Sequence, residues 1–107
     1  MIVTTSSTLG SKRVVRTLGL VRGNTIRARH IGKDILAVFK NILGGEIEEY
    51  TKLLAESRDQ SIDRMIADAE QLGANAVVSI RFSTSYIMAN AAEILVYGTA
   101  VFIEDEK

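Results

Sequence analysis

One segment near the C-terminus, residues 93–103, constrains the fold most, because its apolar side chains occupy both sets of alternating positions. Successive side chains of a β-strand point to opposite faces of the sheet. The first face would carry Ile94, Val96, Ala100 and Phe102, and the second Leu95, Tyr97, Val101 and Ile103. Helices of the same chain can cover only one face of such a sheet. We expect another copy of the chain to cover the second face, within a symmetric homo-oligomer.

Further extended segments precede this strand. Residues 2–3 form a short first strand, followed by a loop rich in Ser and Thr over residues 4–11. Residues 12–21 are rich in β-branched and aliphatic side chains, and residues 25–28 resume the extended pattern after a turn or bulge at Gly23-Asn24. A half-buried strand is predicted where polar residues alternate with Val78, Ile80 and Phe82. A linker over residues 85–90 leads to the last strand.

Two segments show the spacing of helices. A short amphipathic helix begins at Asp34, and Gly44-Gly45 ends it. A long helix runs from about Glu46 to Leu72, and Gly73 stops it. At 100° per residue its buried face comprises Tyr50, Leu54, Ser61, Met65, Ala69 and Leu72. The solvent face comprises Lys52, Glu56, Asp59, Asp63 and Glu70. The fold class is therefore α+β, with an antiparallel sheet packed on one short and one long helix in a single domain, residues 1–107.

Composition excludes several classes of protein. The chain has no cysteine, so disulfides and thiolate metal sites are ruled out. No apolar run is long enough to cross a membrane, and no secretory signal is present at the N-terminus. We therefore expect a cytoplasmic protein without a membrane partner. No cofactor is identified by any motif.

The net charge of zero conceals an uneven distribution. Residues 1–33 carry seven of the 13 basic side chains and none of the 13 acidic ones. A basic surface for phosphate or nucleic acid is one interpretation. The second, which we favour, is that these strand residues face acidic helices of the same chain or of a neighbouring subunit, because the basic residues are spread along strands. Nucleic acid is therefore not the expected partner.

Few residues could carry chemistry. The single histidine, His30, follows Arg27 and Arg29, and this group could contact an anion; a partly exposed polar strand end is the alternative. No nucleophile elbow and no glycine-rich phosphate loop is present. The carboxylates of Glu46, Glu48 and Glu49 are candidates for a hard cation. The simpler explanation of these three acids is that negative charge near the N-terminus of a helix is stabilised by the helix dipole.

Arg58 is unusual because the helical wheel places it among apolar neighbours of the long helix. A buried guanidinium needs a partner, since an unpaired buried charge costs several kcal/mol. We expect an ion pair with Asp34, Glu46 or Glu48, with Asp34 first. The alternative is that Arg58 and Asp34 contact a ligand.

Several short motifs together resemble the YbjQ family, an uncharacterised family labelled as a heavy-metal-binding domain. They are Gly23-Asn24, Lys33-Asp34, residues 41–45, Tyr50, Arg58, residues 72–78 and residues 97–101. The resemblance covers nearly the whole chain and is weakest over residues 81–90. It implies a dodecin-like subunit that assembles into a pentamer, and it implies no established activity.

Three functions follow as hypotheses. The first is an oligomeric binding or scaffold protein that holds a small ligand between subunits, because burial surfaces are abundant and catalytic motifs are missing. The second is a metal-binding protein whose carboxylates or His30 converge at a subunit interface. The third is an enzyme of unknown reaction, with a pocket near Arg58 and Asp34.

Overall fold

The computed structural model describes residues 1–28, 47–88 and 91–106. Four strands and one long helix occur in this part of the chain. In chain order they are β1 (Ile2–Val3), β2 (Lys12–Ala28), α1 (Ile47–Gln71), β3 (Ala76–Met88) and β4 (Ala91–Asp105). The predicted short helix at Asp34 lies outside the described residues. Among the described helices, none is long and apolar enough to cross a membrane.

The strands form one mixed sheet in the order β1-β3-β4-β2. Strand β4 pairs antiparallel with both β2 and β3, as predicted, but β1 pairs parallel with the start of β3. The prediction of a purely antiparallel sheet is therefore wrong at this edge. The chain leaves β1 at one edge of the sheet and crosses to β2 at the opposite edge, a connection that allows β1 and β2 to run in the same direction. Strand β3 also runs in that direction, because β4 pairs antiparallel with both β2 and β3.

This crossover covers part of the second sheet face. Leu9, in the segment between β1 and β2, packs against a buried cluster on that face: Ala76, Val78, Val101 and Ile103. The chain's own N-terminal segment therefore covers one end of a face that we expected a second copy to cover. Farther along the same face Leu20, Ile26 and Tyr97 stay exposed, and the exposed fraction of Leu20 reaches 70%.

Helix α1 follows the predicted pattern in part: Ser61, Met65 and Ala69 are buried as predicted, and Leu54 is half-buried. Its buried residues repeat every four positions, at Ser57, Ser61, Met65 and Ala69, and the predicted solvent face is exposed throughout. At its C-terminus the Gly73 amide donates to the Glu70 carbonyl and the Ala74 amide donates to the Ala69 carbonyl, with Gly73 at φ +80°. This is a Schellman motif, which requires a left-handed residue at this position. Leu72, predicted on the buried face, is exposed because the chain turns away there.

The helix lies directly on β2, and Gly23 makes this possible. A Cβ at Gly23 would overlap the Ser61 carbonyl oxygen and lie 2.5 Å from the Met65 amide nitrogen. The predicted turn or bulge at Gly23-Asn24 is wrong, since β2 continues through both residues and its irregularities fall at Val14/Arg16 and Thr17/Gly19. Glycine is needed at this position for the approach of another backbone.

A small buried hydroxyl cluster completes this contact. The Thr25 hydroxyl lies 3.0 Å from the Ser61 hydroxyl and donates to the Ser57 carbonyl at 3.1 Å, while the Ser61 hydroxyl also lies 3.2 Å from the Ile94 carbonyl. All three hydroxyl-bearing residues are buried. Because these side chains are small, the helix packs close to β2 and β4. The apolar core lies beside this contact and comprises Val21, Met65, Val77, Val96 and Ala100.

Strand β3 contains a bulge that the alternating pattern did not predict. Ser79 adopts φ +55°, and the pairing with β4 shifts between Val78 and Arg81. Val78 therefore joins the Leu9 cluster while Ile80 joins the core under the helix, on the opposite face. The bulge also directs the amides of Ser79 and Ile80 to the carbonyls of the N-terminal segment. Beyond the bulge β3 continues to Met88, so the predicted linker at residues 85–88 is extended strand instead.

Candidate functional site

A groove between α1 and β3 is the strongest candidate site in the described part of the chain. Helix α1 packs on β2 and β4 and barely touches β3, which lies at the far side of the same sheet face. The uncovered side of β3 and the edge of the helix enclose a cavity of about 310 Å³. We call it the Arg58 groove; it is lined by Leu54, Arg58, Thr84, Tyr86 and Ile94.

Arg58 is exposed at this groove, so the prediction that it lies in the buried arc of the helix is wrong. The buried seam of α1 is narrow, because Ser57 and Ser61 bring the helix close to the sheet, and Arg58 lies just outside it. The two ion pairs between described side chains do not involve Arg58. Of the predicted partners, Asp34 and Glu46 lie outside the described residues, and the side chain of Glu48 is not among those described.

The groove combines polar donors with apolar walls. Thr84 and Tyr86 alternate along β3 on the face that carries Ile80, and both are exposed. Ile94 of β4 is buried at the base, and Leu54 of the helix is half-buried. A guanidinium, a hydroxyl and a phenol therefore surround an aliphatic floor. Such an arrangement can bind a small polar molecule that has an apolar body.

Sequence reasoning found Leu54 and Arg58 but missed the strand side of the groove. Tyr86 lies in residues 85–88, which the sequence pattern predicted as part of a linker but which belong to β3. A signal was present: Phe82, Thr84 and Tyr86 occur at every second position, without Gly or Pro. Aromatic and β-branched residues in that spacing are typical of a strand.

A second depression adjoins the first along β3. It has a volume of about 360 Å³ and is lined by Val3, Thr4, Thr5, Ile62, Ile80 and Phe82. Much of β3 is uncovered along these two depressions, because every residue from Arg81 to Tyr86 is exposed. Phe82 exposes 48% of its surface and Tyr86 exposes 72%.

Several basic residues of β2 are engaged within the chain. Lys12 pairs with Asp105 and Arg13 with Glu104, across the β2·β4 ladder. The Arg16 guanidinium lies 5.6 Å from the centre of the Phe102 ring, a cation–π distance. Lys12 and Arg13 therefore pair with acids of the last strand, whereas we had expected the basic segment to face acidic helices.

The other predicted ligand-binding residues are only partly described. Arg27 belongs to β2, where its backbone pairs with Ala92, and Ala92 pairs in turn with Tyr86 of the groove. Arg29 and His30 lie outside the described residues, as do Asp34 and Glu46. Glu48 and Glu49 are in the first turn of α1, at the positive end of the helix dipole.

The described residues do not fit a heavy-metal site. Soft and borderline metals prefer thiolate and imidazole ligands. The sequence has no cysteine and a single histidine. In the described part of the chain, no group of three or more acidic or histidine side chains converges to hold a metal ion.

Comparison with known proteins identifies close relatives without a defined function. A UPF0145 protein of Archaeoglobus fulgidus is 57% identical over 94% of this chain and 94% of its own length. One from Dehalococcoides mccartyi is 54% identical over 97% of this chain and its own full length. A crystal structure of a Pediococcus pentosaceus protein of unknown function, from the DUF74 family, superposes with a TM-score of 0.68 and covers 97% of this chain and 98% of its own. At 13% identity, that likeness concerns the fold alone.

The family assignment rests on the whole length of the chain. The model of the YbjQ family, described as "Putative heavy-metal-binding", matches residues 1–104. Two of the motifs that resemble this family have defined places in the fold: Gly23 lies under the helix and Gly73 lies at its C-terminus. The chain belongs to the YbjQ (UPF0145) family.

Proposed function

We propose that the chain is a subunit of a homo-oligomeric binding protein that holds a small ligand in the Arg58 groove, where subunits meet. The single observation that carries the proposal is the uncovered strand β3 beside that groove, with Phe82 and Tyr86 exposed. A dodecin-like pentamer is the assembly that the sequence resemblance implies. The occupant of the β3 surface is a second copy of this chain.

The surface area of the chain supports self-association. Its accessible surface is 7309 Å², whereas a compact monomer of 11.7 kDa exposes about 5,900 Å². The radius of gyration is 17.7 Å, and a compact domain of this length has about 13 Å. The excess of about 1,400 Å² is more than the roughly 800 Å² that each partner buries in a standard interface. A subunit of a closed ring uses two such interfaces.

The edge of the sheet supports the same conclusion. Among the described strands, β1 pairs only with Ala76 and Val77 of β3, so the outer edge of β3 has no strand beside it from Arg81 onward. Native proteins usually protect such edges with charges or proline. In residues 81–88 the only charged side chain is Arg81, and there is no proline. An edge of this kind favours pairing with another strand.

Sedimentation equilibrium at micromolar concentration tests the assembly. We expect a mass that is a multiple of 11.7 kDa for the native chain and 11.7 kDa for the variant Phe82→Lys. The matched control is Leu20→Lys, which places the same charge at an exposed position on the opposite sheet face. Far-UV circular dichroism confirms that both variants are folded.

Two outcomes would contradict the proposal. A native chain that sediments only at 11.7 kDa would show that no stable oligomer forms. Dissociation by Leu20→Lys, with Phe82→Lys still assembled, would place the interface on the other face of the sheet and away from the groove.

A further inference from the structure

Among the described side chains that line the Arg58 groove, the polar groups are one cation and two neutral hydroxyl groups. Arg58 contributes a guanidinium, and Thr84 and Tyr86 contribute hydroxyl groups. None of the described side chains that line the groove is acidic. Arg58 also takes part in neither of the ion pairs formed between described side chains. The groove therefore favours a ligand with negative charge.

The apolar lining limits what else the ligand can be. Leu54 and Ile94 form an aliphatic wall and floor, and the ring of Tyr86 is largely exposed beside them. A cavity of about 310 Å³ is at the lower end of the range for small-molecule sites, about 300–1,000 Å³. A bare inorganic anion would leave these walls uncovered, whereas one ring or a branched chain would fill them.

We infer that the Arg58 groove binds a small organic carboxylate with an aromatic or branched apolar body. The planar guanidinium donates two parallel hydrogen bonds to a carboxylate, and a single arginine balances a single negative charge. The apolar body then contacts Leu54 and Ile94, and Tyr86 stacks on it. This inference rests on the proposed function, because a neighbouring subunit on β3 would close the open side of the groove.

Benzoate is the probe, and benzamide is its neutral counterpart of the same shape. We expect the native protein to bind benzoate about tenfold more tightly than benzamide in isothermal titration calorimetry at low salt, since a hydrogen-bonded charge pair at an exposed site is worth about that factor. Arg58→Gln should remove this difference and leave benzamide binding unchanged. Arg64→Gln is the matched control, because Arg64 lies on the same helix but bonds the Asn24 carbonyl away from the groove.

The outcomes separate this inference from the proposed assembly. Equal affinity for benzoate and benzamide, or a benzoate affinity that Arg58→Gln leaves unchanged, would overturn the carboxylate site. Sedimentation of the same samples reports the oligomer independently. A monomer that prefers benzoate, and loses this preference in Arg58→Gln, would refute the proposed assembly and support the carboxylate site. An oligomer that binds benzoate and benzamide equally would support the assembly and refute the carboxylate site.

Discussion

Replacing Gly23 by alanine tests the central packing contact of this fold. The new Cβ would overlap the Ser61 carbonyl oxygen, and it would lie 2.5 Å from the Met65 amide nitrogen and 2.9 Å from the Arg64 Cβ. Backbone atoms cannot rotate away as the end of a side chain can. The helix would have to move off β2 by about 1.5–2 Å to restore ordinary contact distances of about 3.5–4.0 Å at the nearest atom.

The expected cost follows from three contributions. Overpacking of a well-packed contact costs about 1–3 kcal/mol, and the upper end applies because backbone lies on both sides. Moving the helix also weakens the Thr25 hydrogen bonds to Ser57 and Ser61, each worth about 1 kcal/mol. Alanine offsets about 0.5–1 kcal/mol of this, since it restricts the unfolded chain more than glycine does. We therefore expect the free energy of unfolding to fall by about 3 kcal/mol.

Urea denaturation followed by circular dichroism at 222 nm measures this change, with native and variant proteins at the same subunit concentration. The control is Asn24→Ala, the next residue in β2, whose side chain is exposed and makes one long contact of 3.4 Å with Glu93. Its unfolding free energy should stay within about 0.5 kcal/mol of the native value. If Gly23→Ala is no less stable than Asn24→Ala, the close helix–strand approach is not what requires glycine at this position.

Three further substitutions address other contacts. Asn75→Ala should lower the free energy of unfolding by about 1–3 kcal/mol. The Asn75 side chain donates to the Ile103 carbonyl at 2.9 Å and accepts from the Ile103 amide at 2.8 Å, and alanine loses both hydrogen bonds. Asn75→Asp keeps only the acceptor and should be no more stable than Asn75→Ala in thermal melts. Ser61→Ala should cost about 1 kcal/mol in urea denaturation, since the Thr25 hydroxyl keeps the Ser57 carbonyl as its acceptor; no loss would show that the buried hydroxyl pair contributes nothing. Gly73→Ala should lower the free energy of unfolding by about 1–2 kcal/mol, because alanine is strained at φ +80°. A Cβ at this position meets no atom within 4 Å, so no steric clash adds to the strain. A loss as large as that of Gly23→Ala would show that strain alone does not explain the need for glycine here.

Two of the YbjQ motifs, residues 72–78 and 97–101, have structural explanations. Residues 72–78 contain the Schellman glycine, the Asn75 side chain that pairs with Ile103, and the first buried residues of β3. In residues 97–101, Gly98 lies opposite the Ser79 bulge, where a Cβ would be 2.8 Å from a Val77 methyl group and 3.0 Å from the Val78 carbonyl oxygen. These two motifs therefore identify the family through its fold.

The candidate site was only partly predictable. The period of the long helix placed Leu54 and Arg58 near each other, but the wheel could not show how wide the buried arc would be. That width depends on how closely the helix approaches β2, which Gly23 and the two buried serines decide from distant parts of the sequence. Arg58 was therefore expected inside the protein, whereas it lines an open groove.

Local patterns in the sequence determined those secondary-structure elements that depend on neighbouring residues in the chain. The helix ends at Gln71 because Gly73 adopts a left-handed conformation. Apolar residues at both sets of alternating positions predicted the strand β4. Tertiary structure decided what depends on neighbours far along the chain. The parallel pairing of β1, the Ser79 bulge that reverses the faces of β3, and the groove beside Arg58 all arise where separate segments compete for the same hydrogen bonds and the same space. A periodic pattern records which side of a segment is apolar, but not which segment will cover it.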